Sequence, residues 1–389
     1  MKLSCRASLI KPSATLAITA KAKKLKSEGK NVVSFGAGEP DFDTPDYIKN
    51  AVKDALDKGQ TKYTPVSGID ELKTAIAEKF SADYGASYEN SEIIVSCGGK
   101  HSLYNLFSAM LNEGDEIIIP SPYWVSYTEI VKLSGGVPVL ADTSKNNFKF
   151  NLKLLENSLT GKTRGIIINS PSNPTGVLMD EKDIIEIANF AKKRGLYIIT
   201  DDIYEKIIFD GKKFFNALMV DKSMKENTIA VNAVSKTYSM TGFRIGYTAG
   251  PKDLIAAMNN IQSQSTSNPT TFAQYGALAA LKGGQEFSNM MRDEFQKRRD
   301  YMLDFFDKNI KSIIPIKPDG AFYLFVDISK ISGINSSTEF CGYLLDKYLV
   351  AAVPGVEFGN DNFIRLSFAT GLDVIKEGLS RIKEAVDSL

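Results

Sequence analysis

Residues 165–200 read GIIINSPSNPTGVLMDEKDIIEIANFAKKRGLYIIT. Two short isoleucine-rich runs, "GIIIN" (165–169) and "LYIIT" (196–200), flank a segment of different texture. Neither run alternates apolar with polar residues, which is the pattern of strands buried on both faces. Between them, "EKDIIEIANFAKKRG" (181–195) places apolar residues three and four apart, as an amphipathic helix does. Its closing Lys-Lys-Arg-Gly is a helix-ending signal. Strand, helix, strand predicts a parallel pair joined by a crossover helix. The same texture extends outward through "EIIVS" (92–96), "HSLYNLFSAML" (101–111), "DEIIIP" (115–120) and "TIAVN" (228–232). The fold class is therefore α/β, with a large, mainly parallel, doubly wound central sheet sandwiched by helices.

After "LKGG" (281–284) the pattern changes. Residues 285–309 form a long amphipathic stretch with Phe287, Met291, Phe295, Met302 and Phe306 on one side. "GAFYLFVDI" and "NFIRLSFAT" read as strands, and the tail from Val374 as a closing helix. A chain of 389 residues is too long for one ordinary core. The expected division is an N-terminal segment contributing to a smaller domain (1–44), a large domain (45–284), and a linking helix with the small C-terminal domain (285–389). The smaller α/β domain would thus be built from both chain ends.

With 43% hydrophobic and 24% charged residues, the composition is that of a soluble globular protein. A net charge of +1 gives no reason to expect nucleic acid or an acidic membrane as partner. The first thirty residues hold no uninterrupted apolar run, so neither a signal peptide nor a membrane span is expected. Three cysteines without metal-ligand spacing suit a reducing, cytoplasmic setting. A single histidine, His101, excludes a His-rich metal site, and no metal is expected.

In open parallel sheets, ligands bind beyond the carboxyl ends of the strands. Past "EIIVS" comes Gly98-Gly99-Lys100, leading into a helix. Past "DEIIIP" comes Trp124, the one tryptophan, and past "GIIIN" comes "SPSNPTG" with Asn173. Past "LYIIT" come Asp201, Asp202 and Tyr204, and past "TIAVN" come Ser235 and Lys236, with Arg244 eight residues on. Taken singly, each has an ordinary reading: a tight turn, a core aromatic, a helix cap, a surface lysine. The glycine turn alone would also suit a nucleotide-binding protein. Converging on one edge, the groups fit a flat, phosphorylated cofactor. A helix N-terminus with two glycines, a hydroxyl and an arginine suit a phosphate. Trp124 offers a stacking face. A carboxylate at a buried strand end can keep a ring nitrogen protonated. An enclosed lysine beside another cation becomes an amine nucleophile toward a carbonyl. That is the chemistry of pyridoxal phosphate held as an imine by Lys236.

The sequence resembles the fold-type I, class I pyridoxal-phosphate-dependent aminotransferases, and within them the bacterial-type (I-beta) aspartate aminotransferases. The resemblance rests on "KPSAT", "AGEPDFDTP", "TKYTPVSG", "GGKHSLYNLF", "SPYWVSY", "NSPSNPTG", "DDIYE", "SKTYSMTGFRIGY", "GAFY", "VPG" and "IRLSFAT", in family order over nearly the whole chain. It implies a covalent aldimine on Lys236 and Asp201 at the pyridine nitrogen. Tyr204 and Asn173 would bond the cofactor's phenolic oxygen. Gly99, Lys100, Ser235 and Arg244 would hold the phosphate, joined by Tyr63 of a neighbouring subunit, and Trp124 would stack on the ring. Arg365 would grip the substrate α-carboxylate, assisted by Gly38 and Asn173. Lys100 would read the distal carboxylate, with Ser13 and Thr15 adding hydroxyls and Lys11 an alternative cation. Two departures stand out: Asp202 where the family has Glu, expected to be peripheral, and Phe243 where Trp is frequent.

The resemblance further implies a homodimer with composite active sites. Its expected reaction exchanges an amino group between L-aspartate and 2-oxoglutarate, giving oxaloacetate and L-glutamate. Amino acids and 2-oxo acids are the expected partners. An aromatic or prephenate aminotransferase, or another enzyme of the same fold, is the alternative.

Overall fold

A computed structural model describes Ser4, residues 8–10 and residues 14–389, the side chains of residues 14–16 and 19 excepted. Its strands are β1 (Val33–Ser34), β2 (Ile93–Ser96), β3 (Glu116–Ser121), β4 (Val137–Asp142), β5 (Thr163–Asn169), β6 (Tyr197–Asp201), β7 (Thr228–Ala233), β8 (Gly246–Ala249), β9 (Ile314–Ile316), β10 (Tyr323–Asp327), β11 (Val350–Ala351), β12 (Val353–Pro354) and β13 (Phe363–Ser367).

The central sheet has the order β2-β8-β7-β6-β5-β3-β4. From β7 to β4 every pairing is parallel, while β8 runs antiparallel to both its neighbours. The mainly parallel sheet is thus as the apolar runs indicate. The isoleucine runs work by splitting their residues between two faces. Ile117, Ile119, Ile167 and Ile199 pack with Leu103, Leu106 and Phe107 of the helix Gly99–Met110. Their immediate neighbours Ile118, Ile166, Ile168 and Ile198 pack with Ile184, Ile187 and Ala188 of the helix Glu181–Arg194. A strand covered on both sides has no polar face, so no alternation appears in its sequence. The helix Glu181–Arg194 begins with Glu181 and Asp183, ends with Lys192, Lys193 and Arg194, and stops at left-handed Gly195. Each charge complements the helix dipole at its own end.

A second core lies around the antiparallel sheet β12-β13-β10-β9. Met291, Phe295, Met302 and Phe306 of the helix Glu286–Asn309 pack there, with Phe287 partly buried at the edge. Val33 and Phe35 from the N-terminal side join this core, as do Leu379 and Ile382 from the closing helix Leu372–Asp387. β1 pairs in parallel with β11, joining positions 33–34 to 350–351. Tyr204, Ile207 and Phe209 also enter this core, directly after β6. Two arginines of the long helix tie it to other segments. Arg298 donates to Asp41 at 2.8 Å, and buried Arg299 donates to Asp210 at 2.6 Å.

Strands β4 and β8 escaped the sequence reading. β4 is an edge strand whose Val137 and Leu140 are exposed, and it carries Pro138, which an edge tolerates. β8 is only four residues long. Among the described residues, no helix is long and apolar enough to cross a membrane.

Phe295 is fully buried, with ring centroids of Phe42 at 5.6 Å and Phe322 at 5.5 Å. Phe295→Ala is expected to destabilise this core by about 3–5 kcal/mol. Chemical denaturation followed by tyrosine and tryptophan fluorescence measures it, and a loss below about 1 kcal/mol would mean the cavity collapses freely.

Candidate active site

Beyond the carboxyl ends of the parallel strands lies a cavity of about 550 Å³. All five strand-end groups named from the sequence reach it. Gly99, Trp124, Asn173, Asp201 with Tyr204, and Ser235 with Lys236 line it, and Arg244, Lys100, Gly38 and Arg365 complete the set. Ser13 and Lys11 lie outside the described residues, as does the side chain of Thr15. Tyr63 stands away from this cavity and is 90% exposed. Its stretch is pinned from behind. Thr271 Oγ1 donates to the Lys62 carbonyl at 2.7 Å, and Gln274 Nε2 donates to Thr64 Oγ1 at 3.0 Å.

Lys236 follows β7 and points its amine to the Gly38 carbonyl, at 2.6 Å. Burial, helped by the Arg244 and Arg365 charges, lowers its pKa to about 8 against the opposing pull of Glu39 and Asp201. Asp201 closes β6 and is buried. Its Oδ2 accepts from the Tyr127 hydroxyl at 2.5 Å, and its backbone carbonyl accepts from Asn169 Nδ2 at 2.8 Å. Burial pushes the carboxyl up to about 6, while the Tyr127 hydroxyl, the Ile203 amide and the Lys236 charge hold it down.

The phosphate-type corner is built by close backbone approach. Gly98 sits at φ +90°, where an added Cβ would stand 2.4 Å from Arg244 Nη2. On β8, a Cβ at Gly246 would stand 2.3 Å from the Gly99 nitrogen. Two glycines therefore let the start of the helix Gly99–Met110, β8 and the Arg244 guanidinium converge. Arg244 takes a left-handed φ of +57° and donates to the Thr241 carbonyl at 2.9 Å. Lys100 Nζ lies 5.1 Å from the Trp124 ring centroid. Burial, then the Arg244 charge, lowers its pKa.

On the opposite side Arg365, in β13, is buried between rings, 4.3 Å from the Tyr323 centroid and 5.0 Å from that of Phe358. Its Nη1 donates to Asn173 Oδ1 at 3.0 Å, and its buried Nε has no hydrogen-bond partner among the described residues. Tyr204 and Tyr323 join hydroxyls at 3.0 Å.

Tyr127, Asn169, Tyr323, Phe358 and Glu39 line the cavity and were not singled out from the sequence. Tyr127 sits in "SPYWVSY" and Asn169 ends "GIIIN", so the stretches were visible. No spacing rule, however, turns the Tyr127 hydroxyl toward Asp201. Asp202, expected to be peripheral, is outside the cavity lining yet buried. Its Oδ2 accepts from Thr200 Oγ1 at 3.0 Å and from Asn216 Nδ2 at 2.7 Å. Phe243 packs its ring in the neighbourhood of Gly276.

Lys100, Lys236, Arg244 and Arg365 form no ion pair with a carboxylate among the described residues. Of the four only Arg365 is fully buried, and a cluster of cations around one cavity without a carboxylate partner makes this a site for anions. The fit to pyridoxal phosphate is specific: a glycine cradle with arginine and serine for the phosphate, an aromatic face, a buried carboxylate and a depressed amine.

Comparison with known proteins agrees. The family described as "Aminotransferase class I and II" matches residues 30–382. The aspartate aminotransferase of Bacillus subtilis is 47% identical, with 100% of this chain and 99% of the relative covered. A probable aspartate/prephenate aminotransferase of Rickettsia typhi is 49% identical, over 100% of this chain and 99% of the relative. The solved structure of the aspartate aminotransferase from Rhizobium meliloti superposes with a TM-score of 0.95 at 41% identity, covering 100% of this chain and 99% of that one. The chain belongs to the class I and II aminotransferase family.

Proposed function

We propose that the chain is an aspartate aminotransferase, exchanging an amino group between L-aspartate and 2-oxoglutarate to give oxaloacetate and L-glutamate. The observation that carries this reading is the enclosure of the Lys236 amine in one cavity with the Asp201 carboxylate and two guanidiniums, Arg244 and Arg365, that form no ion pair among the described residues. When bound, pyridoxal phosphate supplies the electron sink for breaking bonds at the substrate's α-carbon. Lys236 would hold the cofactor, and its amine would move the proton at that carbon. A positioned base of this kind contributes about 10²–10⁴-fold. Asp201, held by Tyr127, would keep the ring nitrogen charged. Tyr204 and Asn173 would bond the ring oxygen, Gly99, Lys100, Ser235 and Arg244 would hold the phosphate, and Trp124 would cover the ring.

Arg365 offers a planar fork to the substrate α-carboxylate, with its unpartnered Nε as one donor and Gly38 and Asn173 beside it. Lys100 serves the distal carboxylate as a point charge, less stringent than an arginine fork. Slower reaction with ring-bearing oxo acids of the prephenate kind is the second reading. It is supported by the Rickettsia relative and by the single point charge at the distal end. Tyr63, exposed and rigidly backed, reaches the phosphate of a second copy, making a homodimer with shared sites. The few cysteines suit a cytoplasmic setting.

Lys236→Ala is expected to abolish turnover and the visible absorption of the bound cofactor, and near-parent turnover would remove Lys236 from its role. Mixing that variant with Tyr63→Ala, then refolding together, is expected to restore activity through one intact shared site. No restoration would mean that Tyr63 works within its own chain.

The lowered Lys236 pKa fixes a direction with pH. Below about 8 the amine in cofactor-free protein carries a proton and cannot attack a carbonyl; above it, the neutral amine predominates. The rate at which cofactor-free protein captures pyridoxal phosphate is expected to rise with pH and level off past about 8. Stopped-flow absorbance reads this, and a rise that continues to the ordinary lysine range near 10.4 would mean the amine is not desolvated.

Lys100→Ala is expected to lower kcat/KM for aspartate more than for a neutral amino acid. Equal losses would assign Lys100 to the cofactor alone.

A further inference from the structure

The cavity's charge balance is lopsided. Lys23, Lys26, Lys100, Lys236, Arg244 and Arg365 line it, against two carboxylates, Asp201 and Glu39. Asp201 is buried and engaged with Tyr127, so it has no part in meeting an incoming substrate. Glu39 is different: it is exposed, and it follows Gly38, whose carbonyl accepts from the Lys236 amine at 2.6 Å. One of its oxygens, Oε2, accepts from Thr241 Oγ1 at 2.6 Å. Among the described residues no hydrogen bond engages the other, Oε1. Thr241 in turn accepts from Arg244 through its carbonyl at 2.9 Å, so the carboxylate is braced against the phosphate corner. A braced carboxylate with one open oxygen thus stands beside the nucleophilic amine, in a cavity otherwise dominated by positive charge.

The two substrates of an aminotransferase differ at one group. The amino acid brings an α-ammonium, and the oxo acid does not. With Lys236, Lys100 and Arg244 engaged by the cofactor, Lys23, Lys26 and Arg365 still line the cavity, and an incoming ammonium is disfavoured beside them unless a carboxylate meets it, whereas a dicarboxylic oxo acid needs no such partner. We propose that Glu39 is the carboxylate that receives the substrate α-ammonium and delivers it beside Lys236, so that it discriminates amino donor from oxo acceptor. The inference rests on the aspartate aminotransferase reading and names a specificity-determining residue within it. Glu39 acts through charge alone, and no bond is made or broken by it.

The sign of the effect separates this role from a structural one. Removing the Glu39 charge makes the cavity more positive. That penalises a substrate carrying an ammonium and does not penalise one carrying only carboxylates. The test uses Glu39→Gln, which keeps an oxygen for Thr241 to bond, so the brace survives while the charge goes. The loaded enzyme is taken through each half-reaction separately and followed by cofactor absorbance: the pyridoxal form with L-aspartate, the pyridoxamine form with 2-oxoglutarate. Half-saturation for aspartate is expected to rise roughly two- to fivefold, the range of a solvent-exposed ion pair, with that for 2-oxoglutarate unchanged or lower. Thr241→Val removes the brace, leaves the charge, and is expected to move both substrates together. Equal changes for both substrates in Glu39→Gln, or no change, overturn the proposal, as does Thr241→Val reproducing the selective loss. A parent enzyme that runs neither half-reaction overturns the underlying reading instead, and the role of Glu39 falls with it.

Discussion

Four cations, Lys100, Lys236, Arg244 and Arg365, share a cavity in which none of them forms an ion pair with a carboxylate among the described residues. Two like charges 4 Å apart at an effective dielectric of 20 repel by about 4 kcal/mol, so such a cluster persists only where the surrounding fold compels it or an anion relieves it. Here the fold compels it from two directions. Lys236 and Arg244 are placed by β7 and β8 of the central sheet, and Arg365 by β13 of the second sheet. Burial first, and the neighbouring charges after it, lower the pKa of Lys236 and of Lys100. An amine made reactive by desolvation and neighbouring charge, beside a cradle shaped for a dianion, is one physical arrangement seen from two sides.

The sheet was legible in the sequence because its strands are buried on both faces. Runs such as Ile117–Ile118–Ile119 leave no polar face for water, so both faces of the strand are covered. The convergence of strand ends was legible for the same reason, since parallel strands must all finish at one edge. What escaped notice was set by contacts between segments distant in sequence. Tyr127 bonds Asp201 across 74 positions, and Phe358 covers Arg365 only because its loop returns beside β13. Edge strand β4 stayed hidden because half of its apolar residues face water. Tyr63, named only by the family resemblance, is exposed and stands outside the cavity of its own chain.

Asp201 and Asp202 illustrate how adjacent identical residues are given different tasks by the period of a strand. They are one position apart at the end of β6, so their side chains leave on opposite sides. Asp201 faces the cavity and Tyr127, whereas Asp202 faces Thr200 and Asn216 and lines no part of the cavity. Burial raises both carboxyls, and in Asp202 the nearby Glu205 charge adds to it. Only the first has an open space beside it in which a cationic ring nitrogen could supply the missing counter-charge.

The bond between Arg365 and Asn173 joins the two cores across the site. Asn173 belongs to the turn after β5, Arg365 to β13, and their contact at 3.0 Å is a direct link between the sheets at this depth. Gly36 and Gly38 stand on the same crossing, their carbonyls at 3.4 Å from Arg365 Nη2 and 2.6 Å from Lys236 Nζ. One short loop therefore touches the group assigned to the substrate carboxylate and the group assigned to the cofactor. The Arg365 Nη donors that would meet a carboxylate, and the Lys236 amine, are thus engaged by this loop and Asn173. Glu39, the next residue along, is held to Thr241, so this loop also carries the carboxylate at the cavity. These contacts run through backbone carbonyls that any residue could supply, so no side-chain motif reveals them.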